Sequence, residues 1–282
     1  MRTVCGRGPG EAGHTPETAV WRVLSHAARD GPQNMAVDEA IAVAVGSGRV
    51  PPTLRFYAWD GPTVSLGFLQ AARGAVERET CDRLGVKIVR RLTGGRAVLH
   101  DQELTYSLCV PLDRSWARLS VGDSFGRIGA GLVAGLGRLG IAATLGKTGG
   151  PVTSARAAEA CFQMPRMPAV LAAGKKIIGS AQRRLGGAIL QHGSLLLGVD
   201  LTMHQAVFPG WPREDPGNAV TCVRALLPEV PPRAALEGAL LGGWVATLNI
   251  RAAADELTTW ERQEAQRLAA TRYATPAWTW RR

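Results

Sequence analysis

The chain has 282 residues, 46% of them hydrophobic, and 33 basic against 23 acidic side chains give it a formal net charge of +10. That apolar content can fill one large core or two modest ones. No apolar run approaches the roughly 18–20 residues that span a bilayer, so no membrane partner is expected.

The opening MRTVCGRGPGEAGHTPE has no apolar stretch of the signal-peptide kind. Residues 1–18 are expected to be a flexible extension, because Gly, Pro and polar side chains dominate them. Asn34 is expected to cap a helix through MAVDEAIAVAVGSG, with Asp38 and Glu39 near its positive end and Gly46 and Gly48 stopping it. Thr53–Trp59 and Thr63–Gly67 read as strands divided by Asp60-Gly61-Pro62, a hairpin-type turn. A polar-faced helix is expected over 72–84, then a strand at Val86–Leu92, a Thr93-Gly94-Gly95 turn, and strands at Ala97–His100 and Leu104–Val110. Residues 123–139 read as a Gly/Ala-rich helix. The segment 169–199 alternates like antiparallel sheet, turning at Ala173-Gly174 and again at Gly186-Gly187. Beyond Asp200 the signals are mostly helical, with a loop at Pro228, Pro231 and Pro232 and helices near 233–248 and 254–271. Interspersed strands, hairpins and helices imply an α+β (mixed α/β) domain and not a doubly wound parallel sheet.

The five cysteines, Cys5, Cys81, Cys109, Cys161 and Cys222, are odd in number, far apart and without a CxxC pair. A disulfide framework or a zinc site is therefore not expected, and a reducing cytoplasmic compartment is. The positive charge attracts polyanions: nucleic acid, phosphorylated ligands or an acidic protein. It equally fits an Ala-, Gly- and Arg-rich composition that only solubilises. Nucleic acid has no zinc pattern, RNP-type strand or basic helix in its favour.

Three stretches could carry chemistry. In VRRLTGGRAVLHD (89–101), two glycines let the backbone approach a ligand, and successive N–H groups there can hold an anion or a carbonyl oxygen. The spacing is neither GxxxxGK[ST] nor GxGxxG, and an ordinary hairpin turn would read the same. In GKKIIGSAQRR (174–184), a strand sends Lys175 and Lys176 to opposite faces, one of them inward with Ile178 and Ser180. An inward lysine needs a partner or a task, whereas an edge strand would let both reach water. In LQHGSLLL, His192 reads as a hydrogen-bonded structural residue. Cys161, in AEACFQMP, reads alone as a small buried side chain or a nucleophile.

Taken together, NMAVDEA (34–40), RRLTGGRAVLHDQELTYSL (90–108), ACF (160–162) and GKKIIGSAQRR with ILQHGSLLL (174–197) resemble the cysteine-dependent octanoyltransferase branch of the biotin/lipoate protein ligase superfamily. The resemblance implies a central mixed, largely antiparallel sheet flanked by helices. Its catalytic domain would occupy residues 19–250, with 251–282 as a C-terminal helix and tail. It implies transfer of an octanoyl group from octanoyl-acyl carrier protein to a lysine of a lipoyl-accepting protein. That acceptor would be the glycine cleavage H protein or a 2-oxoacid dehydrogenase lipoyl domain.

The matching positions make Cys161 the acyl acceptor and Lys176 the group that lowers its pKa and orients the acyl group. Arg90, Arg91, Gly94, Gly95, Arg96 and His100, with Gly179, Ser180 and Ala181, would form the acyl-binding wall. Sulfur-to-sulfur transfer is nearly isoenergetic, so no ATP, cofactor or metal is expected, and a monomer is expected to suffice. The Gly-Gly-Arg loop departs from the three glycines usual in lipoate ligases. QMPRMPAV after the cysteine departs from the proline-serine pair of many relatives. The tail is expected to be too short for the accessory domain that ligases often carry. An ATP-dependent ligase, an octanoyl transfer between lipoyl domains and a silent lipoyl-binding relative are the competing readings.

Overall fold

The protein is described by a computed structural model over residues 19–113, 115–146, 169–211 and 220–281. The extension before residue 19 and the ACF stretch with Cys161 lie outside the described residues. In chain order the strands are β1 (Val20–Ser25), β2 (Thr53–Tyr57), β3 (Thr63–Leu66), β4 (Lys87–Arg90), β5 (Val98–His100), β6 (Glu103–Pro111), β7 (Ala143–Leu145), β8 (Val170–Ala172), β9 (Lys175–Leu185), β10 (Ala188–Leu196) and β11 (Arg251–Ala254). The helices are α1 (Gly31–Gly46), α2 (Arg78–Leu84), α3 (Val121–Arg138), α4 (Leu201–Val207), α5 (Val223–Leu226), α6 (Arg233–Leu248), α7 (Thr259–Leu268) and α8 (Pro276–Thr279). Among the described residues no helix is long and apolar enough to cross a membrane.

Eight strands form the main sheet in the order β11-β1-β2-β6-β10-β9-β8-β7. The pairs β1–β2 and β1–β11 are parallel and the others antiparallel, as a mixed, largely antiparallel sheet requires. β2 and β10 are buried along their whole length because both faces are covered. Alternate side chains supply the two cores. Leu54, Phe56, Leu108 and Ile189 meet α3 and α6. Tyr57, Cys109 and Leu190 meet α1 and α7. α3 and α6 can touch because both are glycine-lined at the crossing. A Cβ on Gly243 would collide with the backbone of Gly131 and Gly135. Trp244 lies over Gly131 and donates its indole N–H to the Ile128 carbonyl at 2.9 Å.

A second sheet has the order β4-β3-β5. Here two expectations are corrected. Asp60-Gly61-Pro62 does not close a hairpin, since β2 and β3 belong to different sheets. β2 already has partners on both edges, β1 and β6, so the turn passes the chain across to the other sheet. Thr93-Gly94-Gly95 does not close one either: β4 and β5 lie on either side of β3. The Gly186-Gly187 turn between β9 and β10 is a hairpin as expected, with both glycines at positive φ (55° and 84°).

The first helix starts earlier than expected. Asp30 caps it, accepting from the Gln33 amide at 2.8 Å, and Pro32 sits in the first turn. Asn34 is thus inside the helix, and Asp38 and Glu39 lie in its middle. The helix expected over 72–84 is confined to Arg78–Leu84. The helix expected from 254 begins at Thr259, behind a Thr258–Glu261 capping box, and runs on into a π-helical turn, Ala269–Tyr273. Residues 251–254 form β11, so the stretch after residue 250 supplies a strand of the main sheet.

His26, at the end of β1, sits among cations. Burial first, and then Arg55 and Arg29, push its imidazole down from an ordinary 6.5 to about 4. It accepts a hydrogen bond from Arg55 Nε at 2.9 Å, so the fold selects the neutral ring. The unfolded chain binds that proton near pH 6.5, so the contribution is complete above pH 6.5 and is lost as pH falls toward 4. His26→Gln, which keeps an acceptor for Arg55, is expected to flatten Tm against pH over that window. An unchanged slope would remove His26 as its source.

Candidate active site

Where the two sheets meet, they border a partly open cavity with a free volume of about 30 Å3. Its floor is the β9–β10 ladder, where Ala181, Ser180 and Gly179 face His192, Gly193 and Ser194. Gly193 has no room for a side chain: a Cβ would stand 2.5 Å from the Gly179 carbonyl and 2.5 Å from Ser180 Oγ. Ser180 Oγ shares a 2.8 Å hydrogen bond with Tyr106, whose oxygen also accepts from Gln191 Nε2 at 3.0 Å. Burial pushes Tyr106 up to about 12, against the pull of these two bonds, so the phenol keeps its proton.

One wall hangs on Asp38. Its carboxylate accepts from Arg55 Nη1 at 2.7 Å, Ser107 Oγ at 2.8 Å, Tyr57 at 3.0 Å and His192 Nδ1 at 3.0 Å. Burial pushes this carboxyl up, but Arg55 with the bonds from His192 and Ser107 outweighs burial and holds it low. Burial pushes His192 down more than Asp38 holds it up. The neutral ring then gives its Nδ1 proton to Asp38 and accepts at Nε2 from Thr93 Oγ1 at 2.6 Å. Thr93 is the residue before the Gly-Gly pair, so this chain of bonds fixes where the loop starts.

The opposite wall repeats the pattern with other residues. His100 Nδ1 is 2.7 Å from Glu103 Oε1, and its Nε2 is 2.7 Å from Ser65 Oγ. Ser194 and Thr105 also donate to Glu103 Oε1. The Trp59 ring stacks on His100 with centroids 4.0 Å apart. Burial pushes the Glu103 carboxyl up, and His100, Thr105 and Ser194 together outweigh that and lower it.

The residues singled out in the sequence separate into two groups. Arg91, His100, Gly179, Ser180 and Ala181 line the cavity. Arg90, Gly94, Gly95, Arg96 and Lys176 are not in its lining among the described residues. Arg90 is fully buried and donates to the carbonyls of Gly67 (2.6 Å), Gln70 (2.7 Å) and Thr279 (3.0 Å). Arg91 donates to the carbonyls of Ser65, Gly94 and Arg96, each at 2.7 Å. It therefore clamps the Gly-Gly-Arg loop from inside. Gly95, at φ 91°, brings its carbonyl against Gly67, where a Cβ would collide with it.

Lys176 is buried at 8% exposure and shares a strand face with Ile178 and Ser180, as the alternation required. Four residues along the strand put it about 13 Å from Ser180. Its backbone carbonyl accepts from the Thr221 amide at 3.0 Å. Cys161 lies outside the described residues. Of the other cysteines, burial pushes Cys81 up to about 11 and raises Cys109 well above the ordinary thiol range, so both stay neutral thiols. The sequence reading missed Asp38, Trp59, Ser65 and Thr105. Acidic and polar residues in apolar runs were the available signal, but only the fold shows that they converge.

A family model, the lipoyl protein ligase A/B catalytic domain, matches residues 30–241. The chain belongs to that family. It is similar to proteins called "Octanoyltransferase LipM". One, from Kyrpidia tusciae, is 40% identical over 93% of this chain and 99% of that one. Another, from Symbiobacterium thermophilum, is 37% identical over 93% and 98%. The resemblance to the octanoyltransferase branch read from the sequence is thereby borne out. Among solved structures, a lipoate-protein ligase A bound with ATP matches with TM-score 0.77 and 26% identity over 93% of this chain and 98% of that one. A bi-partite lipoate protein ligase from Thermoplasma acidophilum matches with TM-score 0.76, 26% identity and coverage of 93% and 96%. The family's mixed α/β fold is the one seen here.

Within this lipoyl protein ligase family fold, the Asp38–Arg55 pair is an ion pair enclosed in the interior. Asp38→Asn leaves a fully buried guanidinium without its counter-charge and is expected to destabilise the protein by about 3–5 kcal/mol. Ser107→Ala, which removes one of four donors to the same carboxylate, should cost about 1 kcal/mol. Urea unfolding midpoints measure both, and equal costs would contradict the ranking.

Proposed function

We propose that the protein is an octanoyltransferase of protein lipoylation, with Cys161 as its nucleophile. The end-to-end similarity to chains called octanoyltransferase carries this reading. The cavity supports it: a narrow slot floored by Gly179 and Gly193 suits an unbranched acyl chain.

The donor is octanoyl-acyl carrier protein. A thioester needs a thiolate attacker, and an ammonium near the sulfur favours the ionised form. Lys176, buried on the Ser180 face of β9, supplies that charge to Cys161. The thiolate adds to the thioester carbonyl, a new carbon–sulfur bond forms, and the carrier's thiolate leaves. Backbone N–H groups, among them those of the Thr93–Arg96 loop, hold the oxyanion. A lysine amine of the acceptor then attacks the acyl-enzyme. The amide forms, Cys161 leaves as thiolate, and the amine gives up a proton. The acceptor is the H protein of glycine cleavage or a 2-oxoacid dehydrogenase lipoyl domain. Two displacements through one intermediate give ping-pong kinetics and use no ATP. Both protein substrates are acidic, and a chain carrying +10 meets them faster at low salt.

Intact mass after mixing with octanoyl-acyl carrier protein, without ATP, tests the reading. One octanoyl adduct is expected, absent in Cys161→Ala. If no adduct forms and lipoate is instead attached with ATP by Cys161→Ala, the protein is a ligase. Lys176→Ala is expected to move the alkylation of Cys161 by iodoacetamide to higher pH. An unchanged profile would separate Lys176 from the sulfur.

A further inference from the structure

The last described residues, Thr275–Arg281, do not end as a loose tail. Thr275 caps α8, and Trp278 then donates its indole N–H to the Arg90 carbonyl at 2.9 Å. Arg90 answers with Nε to the Thr279 carbonyl at 3.0 Å. Arg281 donates to the Phe68 carbonyl at 2.6 Å and lies over the Phe68 ring, 3.9 Å from its centroid. Arg183, from β9, is also 3.9 Å from that centroid and donates to the Leu92 carbonyl at 2.9 Å. The Phe68 amide donates to the Thr93 carbonyl at 2.9 Å. Thr93 in turn bonds His192 in the cavity wall.

These contacts form a continuous path. The C-terminal segment grips the chain at Arg90, just before the Gly-Gly-Arg loop, and at Phe68, beside it. Arg91, next to the gripped carbonyl, clamps Gly94 and Arg96 from the cavity side. The loop is thus held between the cavity and the C-terminal segment. Trp278 and Arg281 are half-buried, with Trp278 packed at the edge of the α1 core and Arg281 over its ring. Their geometry bears on where the loop's N–H groups point.

We propose that Trp278 and Arg281 are positioning residues for acyl transfer, which set the Leu92–Arg96 loop against the cavity. The inference rests on the octanoyltransferase reading only for what the loop is positioned to do. A loop displaced by about 1 Å can cost a hundredfold in rate, so loss of one anchor is expected to cost about tenfold.

Arg281→Ala is the first variant. The rate of octanoyl adduct formation is expected to fall about tenfold at saturating octanoyl-acyl carrier protein, with half-saturation unchanged. Amide hydrogen exchange at Leu92–Arg96 should quicken while the thermal midpoint stays in place. Arg281→Lys, which keeps a cation over Phe68 and a donor to its carbonyl, should restore most of the rate. Trp278→Phe, which keeps a ring and removes only the N–H to Arg90, should also quicken exchange in the loop. Exchange at wild-type rates in Arg281→Ala and Trp278→Phe would overturn the proposal, as would a rate loss that merely follows the unfolded fraction. If the wild-type protein forms no adduct, the transferase reading fails, and the exchange measurement still decides the anchoring.

Discussion

The buried ion pair between Asp38 and Arg55 is the constraint on which the rest of the architecture turns. Arg55 is entirely enclosed and carries a full charge, so it can exist only with a fixed partner. The partner is on α1, and α1 is buried nearly all round. Satisfying one guanidinium therefore fixes a helix between two sheets. Arg55 also donates to Asn34 Oδ1 and to the Asn34 carbonyl, and Asn34 reaches the carbonyls of Arg29 and Ala58. The first turn of α1 is thereby locked to the strand that carries Arg55. What remains of the Asp38 carboxylate holds Tyr57, Ser107 and His192, one each from β2, β6 and β10. A network this fully satisfied specifies one arrangement of its elements, because any slip leaves a charge in the dry interior.

The same logic explains why so many arginines of this basic chain are internal. Arg22 joins β1 to α7 through Glu261 and to β2 through Thr53. Arg90 and Arg91 sit side by side and hold backbone carbonyls of separate segments. A planar fork with five donors can bind two or three carbonyls at fixed angles, which a lysine ammonium cannot do. The arginine pair thus contributes to the cavity mainly by shape, holding the Gly67–Gln70 and Gly94–Arg96 segments where the second sheet meets the first. Charge counted along the chain overstates the charge available outside.

Much of this was legible in the sequence. The alternation in GKKIIGSAQRR placed Lys176 on the inward face with Ser180, and Gly186-Gly187 closed its hairpin, because a two-residue turn between long strands leaves little choice. The Asp60-Gly61-Pro62 and Gly94-Gly95 turns carry equally strong local signals, yet neither closes a hairpin. Pairing there is decided by which edges are free, and β2 has none. Asn34 was a sound local cap, but Asp30 lies four residues earlier, followed by a proline that starts a helix well. Asn34 was left for tertiary bonds that no local pattern announces. The convergence of Asp38, Trp59, Ser65 and Thr105 stayed invisible for a like reason. They come from four segments, and only the stacking of two sheets brings them together.

The two walls of the cavity share a design that bears on its chemistry. In each, a carboxylate that the fold keeps ionised holds the Nδ1 side of an imidazole, and a hydroxyl occupies the Nε2 side. Both rings are thus fixed in orientation, and their polar edges are already engaged. Trp59, stacked on His100 with centroids 4.0 Å apart, covers one face of that ring and holds it further. The cavity contains many polar atoms but offers few unsatisfied ones, so an apolar chain can lie against it without stripping water from a bare charge. Lys176, four residues up the strand from Ser180, and the Gly94–Arg96 loop lie outside this lining.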